Sequence, residues 1–379
     1  MVRGRKARSI RVSAVRPPAA TSRTFSDQAV STNPVGDSLG ILVGAGSVGK
    51  RHAAVMAARY RQIVVIDVSS SAREWASTEL AGNVTACPSL SEVRDVLTQF
   101  GPNTTAVIAN WGPSHFATFK DLVQLGVRRI FCEKPLAVSL KQIDEIRRMC
   151  ESEKIALTAG LHLRYRGITE FVRRVALTEL GGLPTTMVVD GGARCLATNG
   201  SHWLDLAIHI FGCEPIAVLS SMNSAPINPR SKQLAYWGGT ATWQFENDQR
   251  LTITYDNQSS VHEEIRLYAP TGVIEINSDF AVRAFQRNLD EVRADPRVVR
   301  VGQVRRDAPI AEYVPDLESV LSQQLDEIDG VRPIQYGSEQ VLTSAAALVS
   351  AFESHRWGER VVLPPTADVI DRSIEWNIS

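Results

Sequence analysis

The residues whose types and spacing suit chemistry begin at Gly44. Gly44-Ala45-Gly46-Ser47-Val48-Gly49 directly follows the apolar run Leu39–Val43 and opens a helical pattern over Val48–Tyr60. In such a G-x-G-x-x-G, Gly44 permits a tight turn, Gly46 lets the backbone approach a pyrophosphate, and Gly49 lets the helix pack closely on the strand. The backbone around Ser47 and Val48 then presents unpaired N–H groups and the positive end of the helix dipole to phosphates. Asp67 ends the next apolar run, Gln62–Asp67. A carboxylate there accepts hydrogen bonds from the adenosine ribose and repels a 2′-phosphate, which favours NAD. Ser69, Ser70 and Arg73 just beyond it leave NADP open. A strand before, a helix after and an acid at this distance set the cluster apart from a glycine turn with no ligand.

Three further groups stand where ligands of such a sheet bind. Asn110-Trp111-Gly112-Pro113-Ser114-His115 follows the run Thr105–Asn110. Ligands of parallel sheets lie beyond the carboxyl ends of the strands, which sets Asn110, Trp111 and His115 beside the nicotinamide half. The plainer alternative is a helix N-cap at Ser114 with a packed Trp111. Cys132-Glu133-Lys134-Pro135 closes the run Arg129–Cys132. At that edge Lys134 can donate a hydrogen bond to a substrate oxygen, with Glu133 and Lys134 both next to the cofactor; the alternative is an exposed Glu–Lys pair. His162 and Arg164 stand just past Ile155–Ala159. Strand alternation puts them opposite Leu161 and Leu163, toward the cleft. Arg164 suits a diphosphate or carboxylate, or else a salt bridge between domains.

His202, Asp205 and His209 recur at i, i+3 and i+7 on the helical pattern Ser201–Phe211. They form one polar stripe on a helix otherwise filled by Trp203, Leu204, Leu206 and other apolar residues. Buried His and Asp need partners, so the stripe is either a site or a hydrogen-bonded core network. No third and fourth ligand stand at metal-site spacing, so no metal is expected.

The elements that must position these residues alternate in type. Near-continuous apolar runs at 39–43, 62–67, 105–110, 129–132 and 155–159 are separated by helical patterns at 48–60, 90–100, 114–125 and 139–150, the last capped by Ser139. This is the mark of a parallel, doubly wound α/β sheet covered on both faces. After about residue 183 strands follow one another: 185–190, then the hairpin Thr240–Phe245 with Leu251–Tyr255, then Ile265–Tyr268 with Val273–Ile276 around Pro270-Thr271-Gly272. Turn-linked strands mean an open, mainly antiparallel sheet in an α+β domain, with helices at 201–211, 317–328 and 338–353. The expected division is a basic extension over 1–37, a dinucleotide-binding domain over 38–160 and an α+β substrate-binding and oligomerisation domain over 161–379.

Composition bounds the rest. A chain of 379 residues is long enough for two domains with large cores. Forty-one basic and forty-one acidic residues cancel, so nothing global points to nucleic acid or an anionic membrane. The five cysteines are odd in number, widely spaced and free of C-x-x-C pairs, which fits a reducing compartment such as the cytoplasm. No apolar run has the length of a membrane span. Residues 1–37 are Arg-rich and poor in acids, a composition that favours disorder or, less strongly, organelle targeting.

Taken in order, GAGSVGKRH at 44–52, ANWGPSH at 109–115, CEKPL at 132–136, GLHLRY at 160–165, GSHWLDL at 200–206 and VVLP at 361–364 resemble the Gfo/Idh/MocA family, the glucose-fructose oxidoreductase and inositol dehydrogenase group. The resemblance runs over roughly residues 38–364. It implies hydride transfer between a nicotinamide and a carbinol or ketone of a sugar, sugar nucleotide or cyclitol. It also implies that Lys134 and His202 act on the reacting oxygen. The family pattern D-x-x-x-H-x-x-D matches at His202 and Asp205, but its first acid falls on Thr198. That departure bears on the acid–base assignment and on substrate range. An alternative register pairs Asp205 with His209; Gly200-Ser201 and Phe211-Gly212 favour His202. Substrate contacts are then expected from His162, Arg164, Thr198, Trp203 and Asp205. The resemblance further implies a homodimer or homotetramer through the C-terminal sheet, whose face bearing Trp243, Phe245 and Tyr255, or their alternating neighbours, needs cover. A dehydrogenase of a non-sugar substrate and a non-catalytic NAD- or sugar-sensing protein are the rival readings.

Overall fold

The computed structural model describes residues 37–225, 235–287, 304, 306, 308–316 and 320–378. The expectation of a disordered basic extension therefore lies almost wholly outside the described residues. Strands β1 (Leu39–Val43), β2 (Gln62–Ile66), β3 (Val84–Cys87), β4 (Thr104–Ile108), β5 (Arg129–Cys132) and β6 (Ala156–Ala159) form one parallel sheet in the order β3-β2-β1-β4-β5-β6. The order reverses beside β1, and the crevice at such a reversal is where this architecture binds ligands. Every residue of β1 and β4 is buried, as a strand covered on both faces requires. Helices α1 (Ser47–Arg59), α2 (Ser70–Glu79), α3 (Arg94–Phe100), α4 (His115–Gln124) and α5 (Leu140–Glu153) make the crossovers. Ser139 caps α5, its side chain accepting a hydrogen bond from Gln142 N at 3.3 Å. Helix α2 and strand β3 lie where the apolar pattern places no element: only Ala76 of α2 and Cys87 of β3 are buried, so neither leaves a periodic trace.

The second sheet has nine strands: β7 (Thr186–Gly191), β8 (Pro215–Ala225), β9 (Tyr236–Phe245), β10 (Arg250–Tyr255), β11 (Glu264–Ala269), β12 (Gly272–Ile276), β13 (Val282–Gln286), β14 (Ala311–Tyr313) and β15 (Val361–Val362). All pairings are antiparallel except β7 with β10. Helices α6 (Ile168–Glu179) and α7 (Ser201–Phe211) precede most of it, and α8 (Val320–Ile328), α9 (Ser338–Trp357) and α10 (Ala367–Arg372) follow. None of the described helices is long and apolar enough to cross a membrane. The face with Trp243, Phe245 and Tyr255 is covered by the chain itself: all three are buried. The Trp243 indole donates to Ala347 O of α9 at 3.0 Å, and Phe245 meets Phe211 of α7 edge to face. The aromatic positions therefore need no partner, and the face left open carries their alternating neighbours, with Thr242 opposite Thr252 and Thr240 opposite Thr254.

Two late helices tie the sheets together. Helix α9 packs on α5 and β6 of the first unit and on α7 and β8 of the second. Helix α8 returns to the first sheet, where Asp329 just beyond it accepts from Arg59 Nε at 2.7 Å, Tyr60 Oη at 3.0 Å and Thr105 Oγ1 at 2.5 Å. Asp329 is buried, so its removal leaves Arg59 with Asp326 alone and strands two hydroxyls away from water. Asp329→Ala is expected to lower stability by about 3 kcal/mol and Asp329→Asn by less, as measured by urea unfolding.

Candidate functional site

The glycine turn between β1 and α1 is shaped by close approach. Gly44 has φ +94°, and a Cβ there would lie 2.5 Å from Asn110 N. A Cβ on Gly49 would lie 1.9 Å from Gly44 O, inside the turn itself. A Cβ on Gly46 would meet nothing. The backbone there faces open space at the start of α1, whose N-terminus has no side-chain cap. Asp67 reaches across from the end of β2: its Oδ2 accepts from Ala45 N at 2.7 Å and its Oδ1 from Ser69 N at 2.8 Å. Gly44, Gly46, Asp67, Asn110 and Trp111 line one cavity of about 490 Å³. Trp111 is exposed, so its ring is open to cover a ligand. An open helix N-terminus, a glycine that faces empty space and a carboxylate at the rim fit a dinucleotide.

His115 does not face that cavity. It is buried, with its ring nitrogens 2.8 Å from Pro135 O and 3.2 Å from Asn110 O. It stands between a carbonyl of the loop after β4 and one of the loop after β5.

A second cavity of about 350 Å³ has Val48 in its lining, two residues past Gly46 of the first. Lys134, His162 and His202 line it together, brought from the end of β5, the exit of β6 and the start of α7. Glu133 is oriented by His52 of α1, whose Nε2 lies 2.8 Å from Glu133 Oε1. Burial pushes the Glu133 carboxyl up, but the His52 hydrogen bond and the neighbouring Lys134 charge outweigh it and hold it below the usual range. Gly160 leaves room for this carboxylate, since a Cβ there would lie 2.5 Å from Glu133 Oε2.

The two histidine rings pack at 4.3 Å between centroids. Arg166 Nε donates to His162 Nδ1 at 3.0 Å, which leaves the proton of the neutral ring on Nε2. Burial, then the charges of Arg166 and Lys134, bring His162 down to about 4. Burial, then His162, Lys134 and Arg166, drive His202 well below its ordinary value. Both rings are neutral near pH 7. His202 Nδ1 is buried and has no hydrogen-bond partner among the described residues.

Other expected substrate contacts stand elsewhere. Residues 162–165 form a 3-10 turn and not an extension of the strand, so alternation does not hold there. His162 faces the cavity, whereas Arg164 is 2% exposed and turns to Asp205. Its Nε donates to Asp205 Oδ2 at 2.9 Å and its Nη2 to Asp205 Oδ1. Asp205 also accepts from Ser344 Oγ at 2.9 Å, and the Arg164 guanidinium stacks on Tyr336. The pair belongs to the core and not to the cavity wall. Thr198 and Trp203 are likewise buried and off the wall, Thr198 in the π-type turn that leads into α7. Thus the polar stripe on α7 divides: His202 faces the cavity, and Asp205 faces the core beside His209.

The cavity also has lining residues that sequence reasoning passed over. Arg51 and His52 sit one turn past the glycines, so their position was readable although their role was not. Gln324 comes from α8 and donates to Ala159 O at 2.9 Å; no local signal marks a residue 165 positions away.

Residues 40–161 match a family model described as oxidoreductase family, NAD-binding Rossmann fold (GFO_IDH_MocA). No curated protein matches the sequence. Among solved structures, an oxidoreductase from Agrobacterium radiobacter in complex with NAD+, L-tartaric acid and magnesium is 19% identical at a TM-score of 0.63, over 86% of this chain and 98% of that one. The WlbA dehydrogenase from Bordetella pertussis, in complex with NADH and UDP-GlcNAcA, is 16% identical at 0.63, over 86% and 99%. The scyllo-inositol dehydrogenase from Lactobacillus casei, with NAD(H) and scyllo-inositol, is 15% identical at 0.59, over 86% and 98%. At these identities the likeness is one of fold.

Two outcomes follow from the site geometry. Gly49→Ala forces a Cβ into the turn and is expected to weaken NADH binding by at least about tenfold in a fluorescence titration. Histidines 115, 162, 202 and 209 all have folded values below 6.5, two of them about 4. Between about 6.5 and 4 the unfolded chain therefore binds protons that the folded one refuses. Stability is expected to be highest above that window and to fall on acidification by up to about 1.4 kcal/mol per pH unit for each withheld proton, as thermal melts would record.

Proposed function

We propose, starting from the match of residues 40–161 to the GFO_IDH_MocA model of NAD-binding oxidoreductases, that this protein oxidises a carbinol or reduces a ketone of a sugar-like polyol. The observation that carries this reading is the meeting of Lys134 and His202, from distant segments, on one cavity that adjoins the dinucleotide cradle. NAD, when bound, supplies the hydride acceptor or donor. Gly44, Gly46 and Gly49 shape the turn that holds its pyrophosphate, Asp67 takes its ribose hydroxyls, and Asn110 and Trp111 flank its nicotinamide half.

The chain's own residues then handle the proton and the charge. Lys134 Nζ donates to the substrate oxygen and stabilises the negative charge that grows on it. The neutral imidazole of His202 takes the hydroxyl proton in the oxidative direction and returns it in the reductive one. His162 presents its Nε2–H as a second donor, fixed in that tautomer by Arg166. Glu133, held by His52, keeps the backbone before Lys134 in place. Asp205 orients α7 through Arg164 and does not itself touch substrate. This assignment accounts for Thr198: with Asp205 committed to the core and Thr198 buried, acid–base work falls on His202 and Lys134 alone. The sugar and cyclitol ligands of the Bordetella and Lactobacillus neighbours support a polyol substrate.

Self-association is proposed through the open face of the nine-stranded sheet, where Leu219, Thr242, Thr252, Val188 and Arg266 form one cross-strand row. A monomer by light scattering at micromolar concentration would remove this part of the reading.

The direct test is titration with NADH followed by a turnover screen of polyols, for the native protein and Lys134→Met. Native protein should bind NADH, and the variant should match its affinity within about twofold while losing at least about 100-fold in turnover. NADH binding with no turnover of any polyol by the native protein would instead favour a sensing protein.

A further inference from the structure

Arg166 differs from its neighbour Arg164 in what surrounds its charge. Its Nε donates to His162 Nδ1 at 3.0 Å, and its guanidinium lies 5.0 Å from the centre of the Phe280 ring. Neither neighbour is an anion. Its Nη1 is buried with no hydrogen-bond partner among the described residues. The carboxylate whose charge acts on it, Asp316, is exposed. Arg164, two positions earlier, shows the contrast, since Asp205 grips both of its donor edges. Among the described residues, one arginine of this turn is thus gripped by a carboxylate and the other has no carboxylate hydrogen-bonded to it. A cationic N–H set out of water without an acceptor is costly, and a fold retains one where a ligand brings the missing acceptor.

The rest of the cavity tips the same way. Arg51 and Lys134 line it beside Arg166. Among the described residues its one lining carboxylate, Glu133, is committed to His52. A concave wall with excess positive charge concentrates anions. The two histidines add no charge of their own, because burial and these same cations keep them neutral.

We propose that the substrate carries an oxyanion group, a carboxylate or a phosphoryl, and that this group seats on the Arg166 guanidinium beside Arg51. The inference rests on the oxidoreductase reading and narrows its substrate from polyols in general to acidic or phosphorylated ones. A planar guanidinium offers paired N–H donors that match either oxyanion.

The experiment uses the full chain saturated with NADH, so that the dinucleotide cradle is filled before any anion is added. Inorganic phosphate, malonate and, as neutral control, glycerol are titrated into the native protein and into Arg166→Gln, followed by calorimetry. At least one anion should bind the native protein where glycerol does not, and the variant should bind it about 10- to 100-fold more weakly with its NADH affinity unchanged. Binding of phosphate alone identifies a phosphoryl ligand, and of malonate alone a carboxylate. Absence of binding by both anions, or equal binding to native protein and variant, overturns the proposal while leaving the NADH reading intact. Failure of the native protein to take up NADH at all overturns the oxidoreductase reading instead, and this inference with it.

Discussion

The arrangement of the candidate site depends on the buried ion pair between Arg164 and Asp205. Both residues are all but inaccessible to water, at 2% and 0% exposure. Arg164 sits on the same turn as His162, and Asp205 lies one helical turn beyond His202 on α7. A bidentate link between them fixes the exit of β6 against α7 and so sets the two histidine rings against each other. Ser344 of α9 completes the acceptor set of Asp205, and Tyr336 covers Arg164 and donates to its carbonyl at 3.1 Å. Such a pair adds little net stability over a packed apolar pair, yet losing one member costs about 3–5 kcal/mol. Its contribution is to geometry: the turn, the helix and α9 have one relative placement that satisfies both charges.

The remaining site residues are held by the same kind of tie between distant segments. His52 of α1 orients Glu133, His115 of α4 bridges the loops after β4 and β5, and Gln324 of α8 donates to the last carbonyl of β6. Each tie joins an element of the cofactor sheet to a loop or helix that borders the second cavity. The consequence is that residues on both sides of the second cavity are held in place by contacts from other segments. Electrostatics sets the protonation states: burial and nearby cations keep the two histidines unprotonated, so the positive charge on this cavity wall comes from Arg51, Lys134 and Arg166.

The cofactor half of this protein was legible in the amino-acid sequence because its determinants are local. A glycine turn needs Gly44, Gly46 and Gly49 for reasons of backbone approach that hold in any surroundings, and buried parallel strands must be apolar throughout. The same is true of the strand ends that carry Asp67, Asn110 and Lys134, since a run of apolar residues ends where the sheet ends. Helix α2 and strand β3 were not legible, because they bury too few side chains to leave a pattern.

What each polar group on the far side of the cleft does was decided only by tertiary structure. Helical spacing placed His202 and Asp205 on one stripe but is silent on which neighbour each meets, and those neighbours come from positions 162–166 and 344. Strand alternation assigned His162 and Arg164 to one face; a 3-10 turn sent them to different places. Sequence determines which side chains can carry charge or a proton. Burial and pairing, which depend on residues far apart in the chain, determine whether that charge is spent inside the fold or left for a substrate.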